Sequence, residues 1–270
     1  AELIKSLMSL LNGNLGVIYP TFEEYPNRCD KYKIVPYFPN NADFSYSVDD
    51  LINFYEDKEL NALLVINPDN PSGNYIPHAD ILKLCKWAQM KNLRLVLDES
   101  FVDFSDFSYQ DTLLLDSILE KFPLLVVVKS ISKSYGVPGL RLGVLASSDK
   151  DLIQQIRKDV SIWNINSFAE FYMQIFNKYE ADYKLGCENF VKERKRFFKS
   201  LSKISYLRVI PSQANYFLCE ITGRYTSTEL TSLLLSKYNI LIKDCGTKKA
   251  FSKGEYIRIA IRSTEDNDYL

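Results

Sequence analysis

Three short apolar runs, Ala62–Ile66, residues 93–97 and residues 124–128, limit what this chain can fold into. Each is too short for a buried helix, rich in Val and Leu, and reads as a strand buried on both faces. Helical stretches at residues 79–91 and about 112–121 separate them. Strands alternating with helices specify an α/β fold, a mostly parallel sheet with helices on both faces. Ligands of such sheets collect beyond the carboxyl ends of the strands. Here each run empties into a polar cluster: residues 67–73, Asp98-Glu99, and residues 130–141. Their convergence marks the expected site.

The flanks are less regular. Residues 1–11 have apolar positions at helical spacing and end in Asn12-Gly13-Asn14. Short strands are expected at 16–19 and 33–37, and helices at 49–60 and 149–160. Residues 168–201 read as one long helix bent near Gly186. Beyond it come short strands at 207–210, 215–221, 240–243 and 256–261, with a helix at 228–238. The expected division is a large domain over 1–165, a connecting helix over 166–202, and a small α/β domain over 203–270. Nothing caps the first helical amides before Ala1, so the numbering is expected to begin inside a larger structure.

Charge and composition remove several function classes. The 270 residues carry 33 Lys and Arg against 34 Asp and Glu, so neither nucleic acid nor an anionic membrane is an expected partner. No apolar span is long enough for a membrane helix and the opening residues do not read as a signal peptide; a cytoplasmic location is expected. Cys29, Cys85, Cys187, Cys219 and Cys245 are scattered without a CxxC pair, which reads as reduced thiols and not as a disulfide or zinc framework. The single histidine, His78, follows Pro77 where a helix begins, a surface or capping position. Acid–base work then falls to lysine, a carboxylate or tyrosine. The basic run at 192–196, broken by Glu193, reads as the wet face of a helix.

Ser130-Ile131-Ser132-Lys133 places one lysine in a Ser- and Gly-rich turn, eight positions before Arg141. Its amine can form a Schiff base with a carbonyl compound, while hydroxyls and a guanidinium fork take a phosphate. The stretch equally reads as a glycine-rich loop with solvated charges. Asp98 ends a buried strand and needs a partner there. That partner is a heterocyclic nitrogen, the following turn or a metal; no histidine or third carboxylate accompanies it, and no metal is expected. Asn70 is a fixed amide donor or ordinary turn chemistry. Phe22 is a flat wall for a ligand or a core residue.

In this order, Asn70-Pro71-Ser72-Gly73, Asp98-Glu99, Ser130-x-Ser132-Lys133 and Arg141 resemble the signature of the fold-type I aminotransferases, pyridoxal-phosphate enzymes of class I/II. The resemblance covers essentially the whole chain. Pro20-Thr21-Phe22-x-x-Tyr25, Asp98-Glu99-Ser100-Phe101-x-Asp103-Phe104 and Gly139-Leu140-Arg141-Leu142-Gly143 look like the branch holding histidinol-phosphate aminotransferase and threonine-phosphate decarboxylase. It implies the PLP-dependent transferase fold, pyridoxal 5′-phosphate as cofactor and a homodimer.

The resemblance also implies roles. Lys133 would hold the cofactor as a Schiff base and then move the proton between the substrate Cα and the cofactor. Asp98 would pair with the pyridinium nitrogen, Asn70 would bond the phenolic oxygen beside the substrate, and Phe22 would stack on the ring. Ser130, Ser132 and Arg141 would bind the phosphate, helped by the first helical amides. Arg258 would grip the substrate carboxylate as a two-pronged fork. Arg262, four positions on and on the same strand face, would meet a second anionic group or pair with a surface acid.

Phe101 stands where aminotransferases usually carry tyrosine, which moves weight toward decarboxylation. The family's N-terminal arm, glycine loop and full closing helix are not in the sequence. The implied function is amino transfer between a small amino acid, phosphate- or phosphonate-bearing ones included, and a keto acid. The alternatives are a decarboxylase of a phosphorylated amino acid and a non-catalytic, cofactor-binding module.

Overall fold

The computed structural model describes residues 1–29, 33–107, 111–251 and 254–270. Helix α1 (Glu2–Leu10) leads into strands β1 (Leu15–Ile18) and β2 (Ile34–Tyr37), which pair in parallel. Helix α2 (Val48–Tyr55) starts in a capping box, with the Ser47 hydroxyl accepting from the Asp50 amide and the Asp50 carboxylate accepting from the Ser47 amide. Strand β3 (Ala62–Ile66), helix α3 (His78–Met90), strand β4 (Arg94–Asp98), helix α4 (Asp116–Lys121) and strand β5 (Leu125–Lys129) follow. A short helix α5 (Ile131–Ser134) turns the chain into β6 (Val144–Ala146). The six strands lie in the order β2-β1-β3-β4-β5-β6, parallel except for β6, which runs antiparallel to β5.

Alternation along the strands sorts the core into two layers. Leu63, Val65, Leu95, Leu97, Leu125 and Val127 face one way, against Leu51, Tyr55, Ile81, Leu84 and Trp87 of α2 and α3. Leu64, Ile66, Val96, Val126 and Val128 face the other, against Ile4, Leu7 and Met8 of α1. Helix α6 (Lys150–Asp159) adds Leu152 and Ile156 to that layer, and the Asp149 carboxylate caps it. Two covered faces explain why these strands read as continuous apolar runs.

The expected single helix after residue 166 is divided. Helix α7 (Ser167–Ile175) is joined to α8 (Glu180–Leu201) by a 3-10 turn at Phe176–Tyr179. Tyr135 stacks on Phe176 at 4.3 Å and meets Tyr183 edge-on at 4.5 Å, anchoring the break there. Gly186 lies inside α8, with nothing within 4 Å of where a Cβ would stand.

A second sheet follows, ordered β7-β8-β10-β9 and antiparallel throughout. Its strands are β7 (Leu207–Val209), β8 (Tyr216–Ile221), β9 (Lys243–Asp244) and β10 (Glu255–Ala260). Helix α9 (Ser227–Tyr238) opens in a Thr226–Glu229 capping box and closes on Asn239 at φ 57°. Helix α10 (Thr264–Tyr269) comes last. Phe197 and Leu201 of α8 pack with Leu230, Phe217, Ile257 and Ile259 in this sheet's own core.

One charged residue departs from the expected wet helix face. Arg194 is buried, its fork bonded to the Phe104 carbonyl, Asp106 and Gln213. It ties α8 to the turn after β4.

Candidate active site

The polar clusters meet beyond the carboxyl ends of β3, β4 and β5, as the parallel order requires. Asp98, the last residue of β4, pairs in register with Ile66 and Val128 and is buried. Its Oδ2 accepts from the Tyr25 hydroxyl at 2.8 Å and its Oδ1 from the Ser100 amide at 2.9 Å. The Ser100 hydroxyl accepts in turn from the Ser130 amide at 3.0 Å, so the turn after β4 and the turn after β5 are bonded together.

Lys133 sits on α5, within 4.1 Å of the Phe101 ring centroid and 5.3 Å of the Phe22 centroid. Burial lowers its pKa below the ordinary lysine range, Asp98 pulls it back up, and Arg258 and Arg141 push it down further. Lys129, four residues earlier, is buried in an ion pair with Asp103 at 2.8 Å. Lys133 forms no ion pair among the described residues, which leaves it the amine free for chemistry.

Asn70 is buried in the turn after β3. Its Oδ1 accepts from Arg258 Nη1 at 2.8 Å, and because arginine only donates this contact settles the amide orientation. The Nδ2 group is therefore the one left to donate to a ligand. Arg258, on β10, lies 4.9 Å from the Tyr216 centroid, and Tyr216 donates to the Asp69 carbonyl at 2.8 Å. Gly73 closes the turn at φ +76°, where a Cβ would stand 2.1 Å from Ser212 Oγ.

Two cavities share this centre. One, of about 470 Å³, is lined by Phe22, Asp98, Ser130, Ser132, Lys133 and Arg141 together with residues 1–4 at the start of α1. The other, of about 860 Å³, is lined by Phe22, Asn70, Phe101, Lys133, Tyr216 and Arg258. Lys133 and Phe22 belong to both. Arg141 holds φ +59°, a left-handed backbone that costs about 1–2 kcal/mol for a residue with a Cβ. Such strain is characteristic of ligand sites. The amine, the strand-end carboxylate, the free amide donor and the hydroxyl–guanidinium group match the aldehyde, ring nitrogen, phenolic oxygen and phosphate of pyridoxal 5′-phosphate. The donor set fits.

Eight of the nine residues expected from the sequence thus line one cavity or the other. Arg262 does not. Strand β10 ends at Ala260, so the same-face argument lapses, and Arg262 is exposed with its Nε bonded to Asp266 Oδ2 at 2.8 Å. His78 lines neither cavity. Three contributors were not singled out by sequence: Tyr25 under Asp98, Tyr216 under Arg258, and Lys248 in the larger cavity. Tyr25 alone had a signal, its place three residues after Phe22.

Residues 2–270 match the family model for aminotransferase class I and II. The CMP-5'-(3-aminopropyl)phosphonate synthase of Streptomyces rubellomurinus is 31% identical over 270 residues, all of this chain and 42% of that protein. The chain thus spans less than half of that relative. The L-serine phosphate decarboxylase of Sulfurospirillum multivorans is 32% identical over 264 residues, 95% of this chain and 66% of that protein. Among solved structures, a decarboxylase from Sulfurospirillum multivorans superposes with a TM-score of 0.88 at 29% identity, covering 99% of this chain and 77% of that one. Family model, order of motifs and sheet topology agree: the chain belongs to the aminotransferase class I and II family of pyridoxal-phosphate-dependent, fold-type I enzymes.

Proposed function

We propose that this chain is the catalytic portion of an enzyme that releases carbon dioxide from a small α-amino acid bearing a phosphate or phosphonate. The observation that carries the reading is the setting of Lys133, an amine between two phenyl rings where a cavity holding Asp98 meets one holding Arg258. When bound, pyridoxal 5′-phosphate supplies an aldehyde for the amino group and a protonated ring that accepts the electron pair left at Cα.

The residues divide the work. Asp98, held by Tyr25 and Ser100, would pair with the ring nitrogen. Asn70 would donate from Nδ2 to the phenolic oxygen, and Phe22 would pack against the ring. Ser130, Ser132, Arg141 and the first amides of α1 take the phosphate. Arg258 binds the substrate carboxylate. Lys133, whose desolvated amine releases its proton more readily than an ordinary lysine, would be the nucleophile that holds the cofactor and, once displaced by substrate, the acid that returns a proton to Cα.

Loss of carbon dioxide is favoured over amino transfer by two features. Phe101 brings no hydroxyl to the Lys133 amine, and the likeness to the Sulfurospirillum decarboxylase runs through the whole chain. The second reading, amino transfer to a keto acid, draws on Arg258 lying against Asn70. There Arg258 would hold the substrate carboxylate in place while Lys133 moves the proton at Cα. A homodimer is part of the proposal: Ile162, Trp163 and Phe168 are 90%, 91% and 77% exposed, beside Asn164 and Ile165 of the smaller cavity.

Product analysis of the full-length protein with pyridoxal 5′-phosphate and O-phospho-L-serine tests the choice. Carbon dioxide and amine in equal amounts, without keto acid consumption, is the expected result. Keto-acid-dependent amino transfer without carbon dioxide supports the second reading and overturns the first.

A further inference from the structure

The larger cavity has a second cationic wall. Besides Lys133 and Arg258 it is lined by Lys243, Lys248 and Lys249, against the carboxylates of Glu23, Glu24 and Asp244. Most of these charges are placed without a ligand. Lys243 and Lys249 are exposed, and Lys249 lies over the Tyr19 ring at 5.3 Å. Glu24 is paired with Arg28, and Asp244 takes bonds from Thr228 and Gly246.

Lys248 differs. It is half-buried, and its Nζ donates to the Thr21 carbonyl at 2.7 Å. It forms no ion pair among the described residues. Burial lowers its proton affinity, and the charge of Glu23 offsets part of that loss. An ammonium has three donors; one carbonyl leaves two unused in a partly desolvated place, where unpaired charge is costly. Lys248 lines the cavity proposed to take the substrate, where Arg258 is already assigned to the substrate carboxylate.

We infer that Lys248 is the anchor for the second anionic group of the substrate, a phosphate or phosphonate on the amino-acid side chain. This rests on the proposed function and deepens it, giving to Lys248 the role that sequence spacing offered to Arg262. The Thr21 carbonyl fixes the amine beside the turn that carries Phe22. The neighbouring Thr247, which also lines the cavity, supplies a hydroxyl. Phosphate and phosphonate share the chemistry that Lys248 reads.

The test is the ratio of two affinities. Full-length protein loaded with pyridoxal 5′-phosphate is titrated with O-phospho-L-serine and with L-serine, following the visible spectrum, and again with the phosphorylated and free forms of L-threonine. The wild type is expected to bind the phosphorylated partner of each pair at least about tenfold more tightly, the size of one charge-assisted bond. Lys248→Met is expected to collapse that ratio to within about twofold, and Lys248→Arg to keep most of it. Three results overturn the assignment: a ratio near one in the wild type, an unchanged ratio in Lys248→Met, or equal loss of both affinities, which marks a purely structural tie. A wild-type spectrum that responds to no amino acid instead contradicts the proposed function itself.

Discussion

The Tyr25 hydroxyl donates to Asp98 Oδ2 at 2.8 Å, and the same ring meets Phe22 edge-on at 6.3 Å. One fully buried side chain therefore supports two walls of the site. Burial, reinforced by the charge of Asp98, pushes the phenol pKa well above its ordinary value, so Tyr25 stays a donor across the working pH range. The bond runs one way, from phenol to carboxylate, and fixes the position of Asp98 Oδ2.

Tyr25→Phe keeps the ring against Phe22 and removes only the donor. A hydrogen bond to a charged group contributes about 1.5–3 kcal/mol. Cofactor affinity is expected to fall about tenfold or more, read by titrating the apoprotein with pyridoxal 5′-phosphate. Unchanged affinity would show that Asp98 is held without Tyr25.

Arg194 and Lys195 are adjacent, and both reach Asp106, at 2.7 and 3.1 Å. Arg194 is 3% exposed and also serves the Phe104 carbonyl and Gln213, whereas Lys195 is 61% exposed. Asp106 itself reaches the surface, so the loss at Arg194 lies mainly in stranding the Phe104 carbonyl and Gln213, about 1–3 kcal/mol for each buried group left unpaired. Removing an exposed ion-pair partner costs about 0–1 kcal/mol. Urea unfolding is expected to show a large loss for Arg194→Met and almost none for Lys195→Met.

Glu99 is buried beside Asp98, accepting from the Thr112 hydroxyl and the Leu113 amide. Burial is the main reason its pKa is pushed up to about 7 from 4.5. The folded state therefore binds more protons than the unfolded state between these values, and this group's contribution to stability declines as pH rises through that window. Glu99→Gln removes the effect. The variant is expected to gain stability relative to wild type from pH 5 to pH 8, on the order of 3 kcal/mol at the upper end. A flat difference curve over that interval would mean that Glu99 titrates normally.

The two arginines at the end of the chain separate cleanly. Arg258 lines the larger cavity on Asn70, whereas Arg262 is exposed and paired with Asp266. Arg258→Gln is expected to raise KM for the amino acid by about tenfold to a hundredfold, the loss of a charge-assisted bond. Arg262→Gln is expected to stay within about twofold, and equal effects would return Arg262 to the site.

Much of this centre was readable in sequence because it depends on local pattern. The runs through Leu64, Val96 and Val126 identified parallel strands, and parallel strands bring Asn70, Asp98 and Lys133 to one edge whatever the intervening helices do. Contacts between distant segments were not readable. Tyr25 reaches Asp98 across 73 positions and Lys248 reaches Thr21 across 227, and no periodicity encodes either. Of the two readings for Arg262, the surface-acid pairing is the one observed, with Asp266; the same-face argument for the site lapses because the strand stops at Ala260. The break at Phe176–Tyr179 was likewise set by Tyr135, far away in sequence, and not by Gly186 within the helix.

The most direct test of Lys133 is the visible spectrum of the purified full-length protein beside that of Lys133→Ala. The wild type is expected to carry a bound chromophore that borohydride reduction fixes to the chain, with the label on the peptide containing Lys133. Lys133→Ala is expected to lack the covalent label and the corresponding absorbance. A wild type without the chromophore, or a variant that retains the same absorbance and label, would contradict the central claim.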